Sequence, residues 1–181
     1  MIWLSNSTVA RLRDQLQARG QRPSLVAPEA NLTADAVEML NIVAEYGPLC
    51  EAMYLMMSAD GSVGTEEREV LKGALRNLSS DAIHGVQIDS MLADAVKRVE
   101  TDGREARLKE VAASLHEDKA RAEVAFVLAA AIAFADNAIA DEENDTLNSL
   151  AEGLGIDEAR ANQLLDDVEK DLAGQAEPTQ E

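Results

Sequence analysis

The chain has 181 residues, enough to bury a sizeable hydrophobic core in one domain without a metal or a disulfide to hold it together. It contains 16 Lys and Arg and 34 Asp and Glu, which gives a formal charge of −18. This charge disfavours nucleic acid or an anionic membrane as a partner and favours cations and basic proteins. Cys50 is the single cysteine, which excludes an intramolecular disulfide, and no early apolar run resembles a signal peptide, so a cytoplasmic location is expected.

Residues 1–30 are predicted to form a basic amphipathic helix and a linker. Four arginines and one aspartate give the first 22 residues a charge of +3, which leaves −21 for the remainder. The apolar positions of this helix follow helical spacing: Val9, Leu12 and Leu16, preceded by Trp3 and Leu4. We expect the helix to pack on the acidic body of the same chain, and the alternative is docking onto a membrane or a partner.

Residues 31–172 are predicted to form one compact, all-α domain of seven to nine helices, because no segment shows the period-two alternation of a half-buried strand. Caps, glycines and prolines set the expected boundaries. The predicted helices run from Thr33 to Gly47-Pro48 and then over residues 49–59, 66–78, 81–99, 103–115, 124–135, 142–153 and 158–172. Residues 173–181 are predicted to be a disordered tail.

A run of twelve apolar residues, from Val124 to Ala135, is predicted to be a central buried helix. At about 1.5 Å per residue it covers only about 18 Å, too short for the ~30 Å core of a bilayer, so no transmembrane segment is expected. An internal duplication with an offset of 76 residues places Ala59-Asp60 over Ala135-Asp136. The two helices that end at these aspartates are predicted to form the central pair.

An acidic loop follows each of these two helices, and the loops match the second half of a calcium-binding EF-hand loop. Both have an acid at position 5, Gly or Asn at position 6, a branched aliphatic at position 8 and a glutamate at position 12. Positions 1 and 3 would fall on Met56 and Ser58 in the first copy, and on Ile132 and Phe134 in the second. These residues still belong to the preceding helices, so a full EF-hand is excluded.

Brought together, the two loops could form one oxygen-only pocket for Ca²⁺, Mg²⁺ or Mn²⁺. Carboxylates packed this closely repel one another by about 4 kcal/mol per pair at an effective dielectric of 20, which a cation would offset. The predicted metal ligands are Asp60, Glu66, Glu67, Asp136, Glu142 and Glu143.

Helix capping is the competing explanation for the same acids. Thr65 and Asp141 are suitable N-caps, and glutamates in a first helical turn interact favourably with the helix dipole. Capping explains each glutamate individually. It does not explain why an aspartate lies seven residues before the second glutamate in both copies, so the cation interpretation is preferred.

The same residues carry a family resemblance. The motif Ala-Asp-Gly-x-Val-x-x-x-Glu in the first half, Ala-Asp-x-x-Ile-x-x-Glu-Glu in the second, and the closing Leu150-x-x-x-Leu154-Gly155-Ile156 resemble the TerB tellurite-resistance family over roughly residues 40–168. The resemblance implies a compact all-helical fold, acidic positions suspected of binding metal, and a role in bacterial responses to tellurite, metals or other stress. It extends to Asp60, Glu67, Asp136 and Glu143, and more weakly to Glu66 and Glu142.

The preferred function is therefore a cation-binding, non-enzymatic TerB-like stress-response protein. The alternative is an acidic helical protein–protein interaction module without a metal site. An enzyme is not expected, because Cys50 falls in a core-like helix and neither His84 nor His116 lies in a catalytic motif. No organic cofactor is expected. Proteins are the expected partners, including a membrane-associated stress-response complex, with a homodimer left open.

Overall fold

A computed structural model describes residues 6–18, 33–61, 63–134 and 141–175. These residues form eight helices, and no strand is present among them, which confirms the predicted all-α class. The bounds are α1 Asn6–Ala18, α2 Ala34–Met57, α3 Thr65–Leu78, α4 Gly85–Asp102, α5 Arg104–His116, α6 Lys119–Ala133, α7 Asp141–Leu154 and α8 Glu158–Gln175.

The core is centred on α2 and α6, which make the most extensive contact of any two helices in the described chain. Every residue from Leu49 to Met57 in α2, and from Val124 to Ala133 in α6, is buried. A segment that is apolar on all sides avoids water only in the middle of a helical layer. The predicted central pair is therefore confirmed.

The other helices surround this pair in a repeated pattern. Helix α4 packs on α2 as α8 packs on α6, and α1 packs on α3 as α5 packs on α7. The positions of the helix ends also repeat, with an offset of 76 residues. This offset separates Met57 from Ala133, Thr65 from Asp141, and Leu78 from Leu154. The two acidic loops therefore leave corresponding ends of the central helices.

Helix α1 packs against the acidic body of its own chain. Val9, Leu12 and Leu16 are buried in the common core. An ion pair joins Arg11 to Asp167 on α8, at 3.6 Å. Two hydrogen bonds to carboxylates add to it, from Thr8 to Asp171 on α8 and from Gln15 to Glu123 on α6. The preferred position of this helix is confirmed, whereas Trp3, Leu4 and residues 19–32 lie outside the described residues.

The predicted break at Gly47-Pro48 is wrong, because α2 continues through Pro48. Proline has no N–H to donate to the carbonyl four residues earlier, which is that of Ala44. Nη2 of Arg121, at the start of α6, donates to the carbonyl of Ala44 at 3.1 Å and also to that of Glu45. A buried guanidinium from another helix thus compensates for the missing donor, and the helix is not interrupted.

Helix α4 begins at Gly85 rather than at the predicted Asp81. Ser80 and Asp81 have φ angles of 54° and 61°, a left-handed conformation that cannot continue a right-handed helix. At the far end of the chain, α8 extends to Gln175, so the first three residues of the predicted tail are helical. Residues 176–181 lie outside the described residues.

One carboxylate lies within the core. Glu51 of α2 is 2% exposed and receives hydrogen bonds from Arg107 of α5, at 2.7 and 3.1 Å, and from Arg98 of α4, at 2.7 Å. This cluster was not predicted from the sequence, although an acid inside a nine-residue apolar run is a signal for it. Because an ionised carboxylate is stable in the core only when it is paired, Glu51 fixes α4 and α5 against α2.

Within the described residues, no helix is both long enough and apolar enough to cross a bilayer.

Candidate functional site

The first acidic loop begins with a series of tight turns at the end of α2. The amides of Ala59 and Gly61 donate to the carbonyls of Met56 and Ser58 at 3.0 and 3.2 Å. Gly61 has a φ of 85°, a conformation that glycine adopts without strain. Asp60 lies between these turns and is exposed, and the two hydrogen bonds fix the backbone on either side of it.

Glu67 caps the start of α3. Its Oε2 accepts a hydrogen bond of 2.6 Å from the amide of Gly64, which is one half of a capping box, since glycine has no side chain to form the other half. The N-cap is thus Gly64 and not the predicted Thr65, which is the first residue of the helix. Glu66 is exposed on the same turn. The capping explanation therefore holds for one oxygen of Glu67.

The second copy repeats this placement. Glu142 and Glu143 are the second and third residues of α7, and Asp141, predicted to be an N-cap, is the first. Glu142 is exposed and Glu143 is half-buried, as are Glu66 and Glu67 respectively. Three acids in this turn face the positive end of the helix dipole. Asp136, together with the rest of residues 135–140, lies outside the described residues.

Arg104, which the sequence analysis did not single out, connects the ends of the helices that flank the two loops. Its Nη2 donates to the carbonyl of Leu55 in the last turns of α2 at 2.9 Å and to Oγ1 of Thr146 in α7 at 2.6 Å. The Thr146 hydroxyl in turn donates to the carbonyl of Glu142 at 2.7 Å. The end of α2 and the beginning of α7 are therefore held on one side of the molecule.

The buried ion pair of Glu51 explains how Arg104 reaches this position. Arg107, one turn further along α5, is fixed to Glu51, and Leu55 lies one turn beyond Glu51 on α2. Burial lowers the pKa of Arg104, and its guanidinium forms no ion pair with a described residue. No local sequence pattern marks Arg104, because both of its partners are distant in sequence.

The described residues do not by themselves furnish a complete metal site. They contain no group of three or more His, Cys, Asp and Glu side chains placed to hold an ion. Met56 and Ile132, at the first EF-hand position, are each 1% exposed, in agreement with the exclusion of a full EF-hand. The donors present are hard carboxylate oxygens, which suit Ca²⁺, Mg²⁺ or Mn²⁺. A complete site would require the acid predicted at position 136.

The environment of Cys50 does not favour a role as a catalytic nucleophile. Cys50 is fully buried in α2, and burial raises the pKa of its thiol to about 12. The thiolate that acts as a nucleophile is therefore not formed near neutral pH.

The comparison with protein families gives one match. The model of the family described as "Tellurite resistance protein TerB" matches residues 49–166, well over half of the chain. The matched segment begins in the buried half of α2 and includes both acidic loops and Arg104. Searches of curated proteins and of solved structures found no significant match. The chain therefore belongs to the TerB tellurite-resistance family.

Proposed function

We propose that this TerB-family protein is a non-enzymatic stress-response module that binds one hard divalent cation, Ca²⁺, Mg²⁺ or Mn²⁺, between its two acidic loops. The observation that carries the proposal is the bridge formed by Arg104. Since one guanidinium nitrogen binds both the end of α2 and Thr146 of α7, Asp60, which follows α2, lies on the same side of the fold as Glu142 and Glu143, which begin α7.

The chemistry of the loops supports a hard cation. Asp60, Glu66 and Glu142 are exposed, and they belong to a chain with a formal charge of −18. Glu67 adds a further acid to the first loop, and its Oε2 caps α3. In this proposal the sequence-predicted Asp136 and Glu143 complete the ligand set from the second loop.

Calorimetric titration of the full chain with CaCl₂, MnCl₂ and MgCl₂ tests the proposal. We expect binding of one ion per chain and a rise in melting temperature, because a ligand that binds only the folded state stabilises it. In the double variant Asp60→Asn with Asp136→Asn, both effects should be lost.

A matched control removes the same charge elsewhere. Asp166→Asn with Glu169→Gln neutralises two exposed carboxylates on α8, a helix that contributes none of the proposed ligands. This variant should bind the cation as the wild type does. No heat and no melting shift at millimolar metal would contradict the proposal, and so would equal losses in both double variants, which would indicate diffuse counter-ion binding.

The second candidate function is an acidic helical interaction module without a metal site. The capping bond from Gly64 to Glu67 favours it, because it gives one of the glutamates a structural role. In that case the loops cap helices, the charge of the body attracts a basic protein, and the titrations above show no stoichiometric binding.

A further inference from the structure

The two halves of α2 differ in their surroundings. All residues from Leu49 to Met57 are buried, whereas no residue from Ala34 to Pro48 reaches that degree of burial. This first half precedes the segment matched by the TerB family model. It is about 21 Å long at 1.5 Å per residue, so it offers three to four helical turns of surface that the family match does not account for.

The large exposed apolar side chains of the described residues all lie at this end of the molecule. Met39 is 38% exposed, Leu40 47% and Val86, at the start of α4, 82%. Nε2 of Gln87 lies 3.8 Å from the sulfur of Met39, so the first turn of α4 adjoins this part of α2. Met39, Leu40 and Val86 form an exposed apolar surface, which we call the α2–α4 patch.

A groove lies below the patch between the same two helices. A cavity of about 260 Å³ is lined by Val43, Ala44, Gly47 and Pro48 of α2 and by Met91, Asp94 and Arg98 of α4. The position of Leu40 is three, four and seven residues before Val43, Ala44 and Gly47, so it lies on the same helical face. A β-carbon added at Gly47 would meet only a methyl group of Val43, at 3.9 Å. The groove therefore has room for a side chain from outside.

The charges around the groove select a positive occupant. Of its two charged lining residues, Arg98 is already bound to the buried Glu51 at 2.7 Å. Asp94 is exposed and forms no ion pair with a described residue. Asp35 and Glu38 are exposed on the same turns of α2 as the patch. A second copy of this chain would add another formal charge of −18, which opposes self-association.

We propose that the α2–α4 patch and its groove bind an amphipathic helix of a partner protein that has an apolar face flanked by Lys or Arg. An apolar anchor of that helix enters the cavity beside Gly47, and a basic side chain pairs with Asp94. Met39 and Met91 suit such a role, because methionine adapts its shape to an inserted side chain. The patch does not depend on the cation site, since Leu40 lies about 26 Å along α2 from Met57.

A defined probe tests this surface. A fluorescein-labelled synthetic peptide of about four helical turns, made of leucine and lysine with all leucines on one face, is titrated with the full chain by fluorescence anisotropy. A peptide of the same composition, with its leucines spread around the helix, serves as the control. We expect saturable binding of the amphipathic peptide, weaker binding at higher salt, and at least about tenfold weaker binding of the control.

Variants locate the binding. Leu40→Ser with Val86→Ser should weaken binding at least about tenfold, and Asp94→Asn should weaken it about threefold. Asp166→Asn, on α8, should leave it unchanged. Val86→Lys alone is a second variant that preserves folding, because Val86 is 82% exposed, and it should also weaken binding of the basic peptide.

Several results would overturn the proposal. They are equal binding of the two peptides, unchanged binding to the Leu40 and Val86 variants, and no binding to the folded wild type, which would mean that the chain closes its own patch. A dimer in sedimentation that Leu40→Ser with Val86→Ser dissociates would instead assign the patch to a second copy.

Discussion

The central helices α2 and α6 occupy corresponding places in the fold but fill them with different chemistry. From Val124 to Ala133, α6 presents only apolar side chains to its neighbours, and its charged residues belong to its first turns. Helix α2 places Pro48 and Glu51 at the start of its own buried segment. Both helices are nevertheless continuous through their buried segments.

Guanidinium groups from other helices make the difference possible. Arg121 satisfies the carbonyl of Ala44 that Pro48 leaves without a donor, and Arg107 with Arg98 neutralises Glu51. An apolar helix such as α6 packs stably when its side chains are complementary in shape to those of its neighbours. A helix with buried polar groups also needs particular partners, so α2 fixes which helices lie beside it.

The largest effect is expected from Glu51→Gln. The variant removes the buried carboxylate that Arg107 and Arg98 share and leaves Arg107 only its more exposed partners, Glu110 and Asp102. We expect a loss of about 3–5 kcal/mol in the free energy of unfolding. Urea unfolding measures it, and faster labelling of the buried Cys50 in the folded protein provides a second readout. A loss below about 1 kcal/mol would show that the pair is not needed.

The triple variant Glu51→Met, Arg98→Met and Arg107→Met makes this part of α2 chemically similar to α6. Replacing a whole buried ionic cluster by apolar groups is often neutral, so the triple variant should regain most of the stability lost in Glu51→Gln. If it is less stable than the single variant, the arginines have a role beyond pairing with Glu51.

The next largest effect concerns Arg121. Arg121→Met leaves the carbonyl of Ala44 without its donor and should cost about 1–3 kcal/mol. Pro48→Ala restores a backbone N–H to that carbonyl, so the cost of Arg121→Met should be smaller in the Pro48→Ala background. A double-mutant cycle by urea unfolding measures this coupling, and strict additivity would contradict it.

A smaller effect, informative by its sign, comes from the loops that leave α2 and α6. If Asp60 and Asp136 line a cation site, Asp60→Asn with Asp136→Asn relieves repulsion and raises the melting temperature of the metal-free protein. If both aspartates only cap turns, each substitution should cost about 1 kcal/mol. Thermal unfolding in EDTA distinguishes the two outcomes.

The smallest effect concerns the part of the free energy of unfolding that is lost at acid pH when Glu123 of α6 is protonated. Arg160 binds Glu123 at 2.7 Å and lowers the pKa of its carboxyl below the ordinary value of 4.5. The unfolded chain therefore binds a proton at higher pH than the folded chain, and the stabilisation is complete above about pH 4.5 and is lost as pH falls through the lowered pKa. In Arg160→Gln, stability measured by urea unfolding should fall less steeply over this range.

Sequence patterns predicted the all-α class, the approximate positions of most helices and the central pair, because long apolar runs and helical periodicity are local properties. They failed where compensation comes from far along the chain. The break at Pro48 was wrong because Arg121 supplies the missing donor, and Glu51 was overlooked because its partners lie on α4 and α5. The start of α4 was missed because Ser80 and Asp81 adopt left-handed conformations.

For the candidate site, spacing in the sequence led to the acids, and the TerB family match covers them. Local spacing could not lead to Arg104, whose role depends on α5 being fixed against α2. The placement of Glu66, Glu67, Glu142 and Glu143 in the first turns of their helices follows the predicted duplication offset. Their use as metal ligands stays a prediction, as does that of Asp60 and Asp136.

The contacts of Arg104 have a consequence for how the two loops respond to a ligand. The carbonyl of Leu55 and the hydroxyl of Thr146 share one nitrogen, so α7 cannot separate from the end of α2 without breaking a hydrogen bond to a charged group. A cation held by the acids of both loops would therefore stabilise the contact between α2 and α7, and by thermodynamic linkage that contact would favour binding of the cation. The pair would behave as a single sensor with one transition, rather than as two independent detectors.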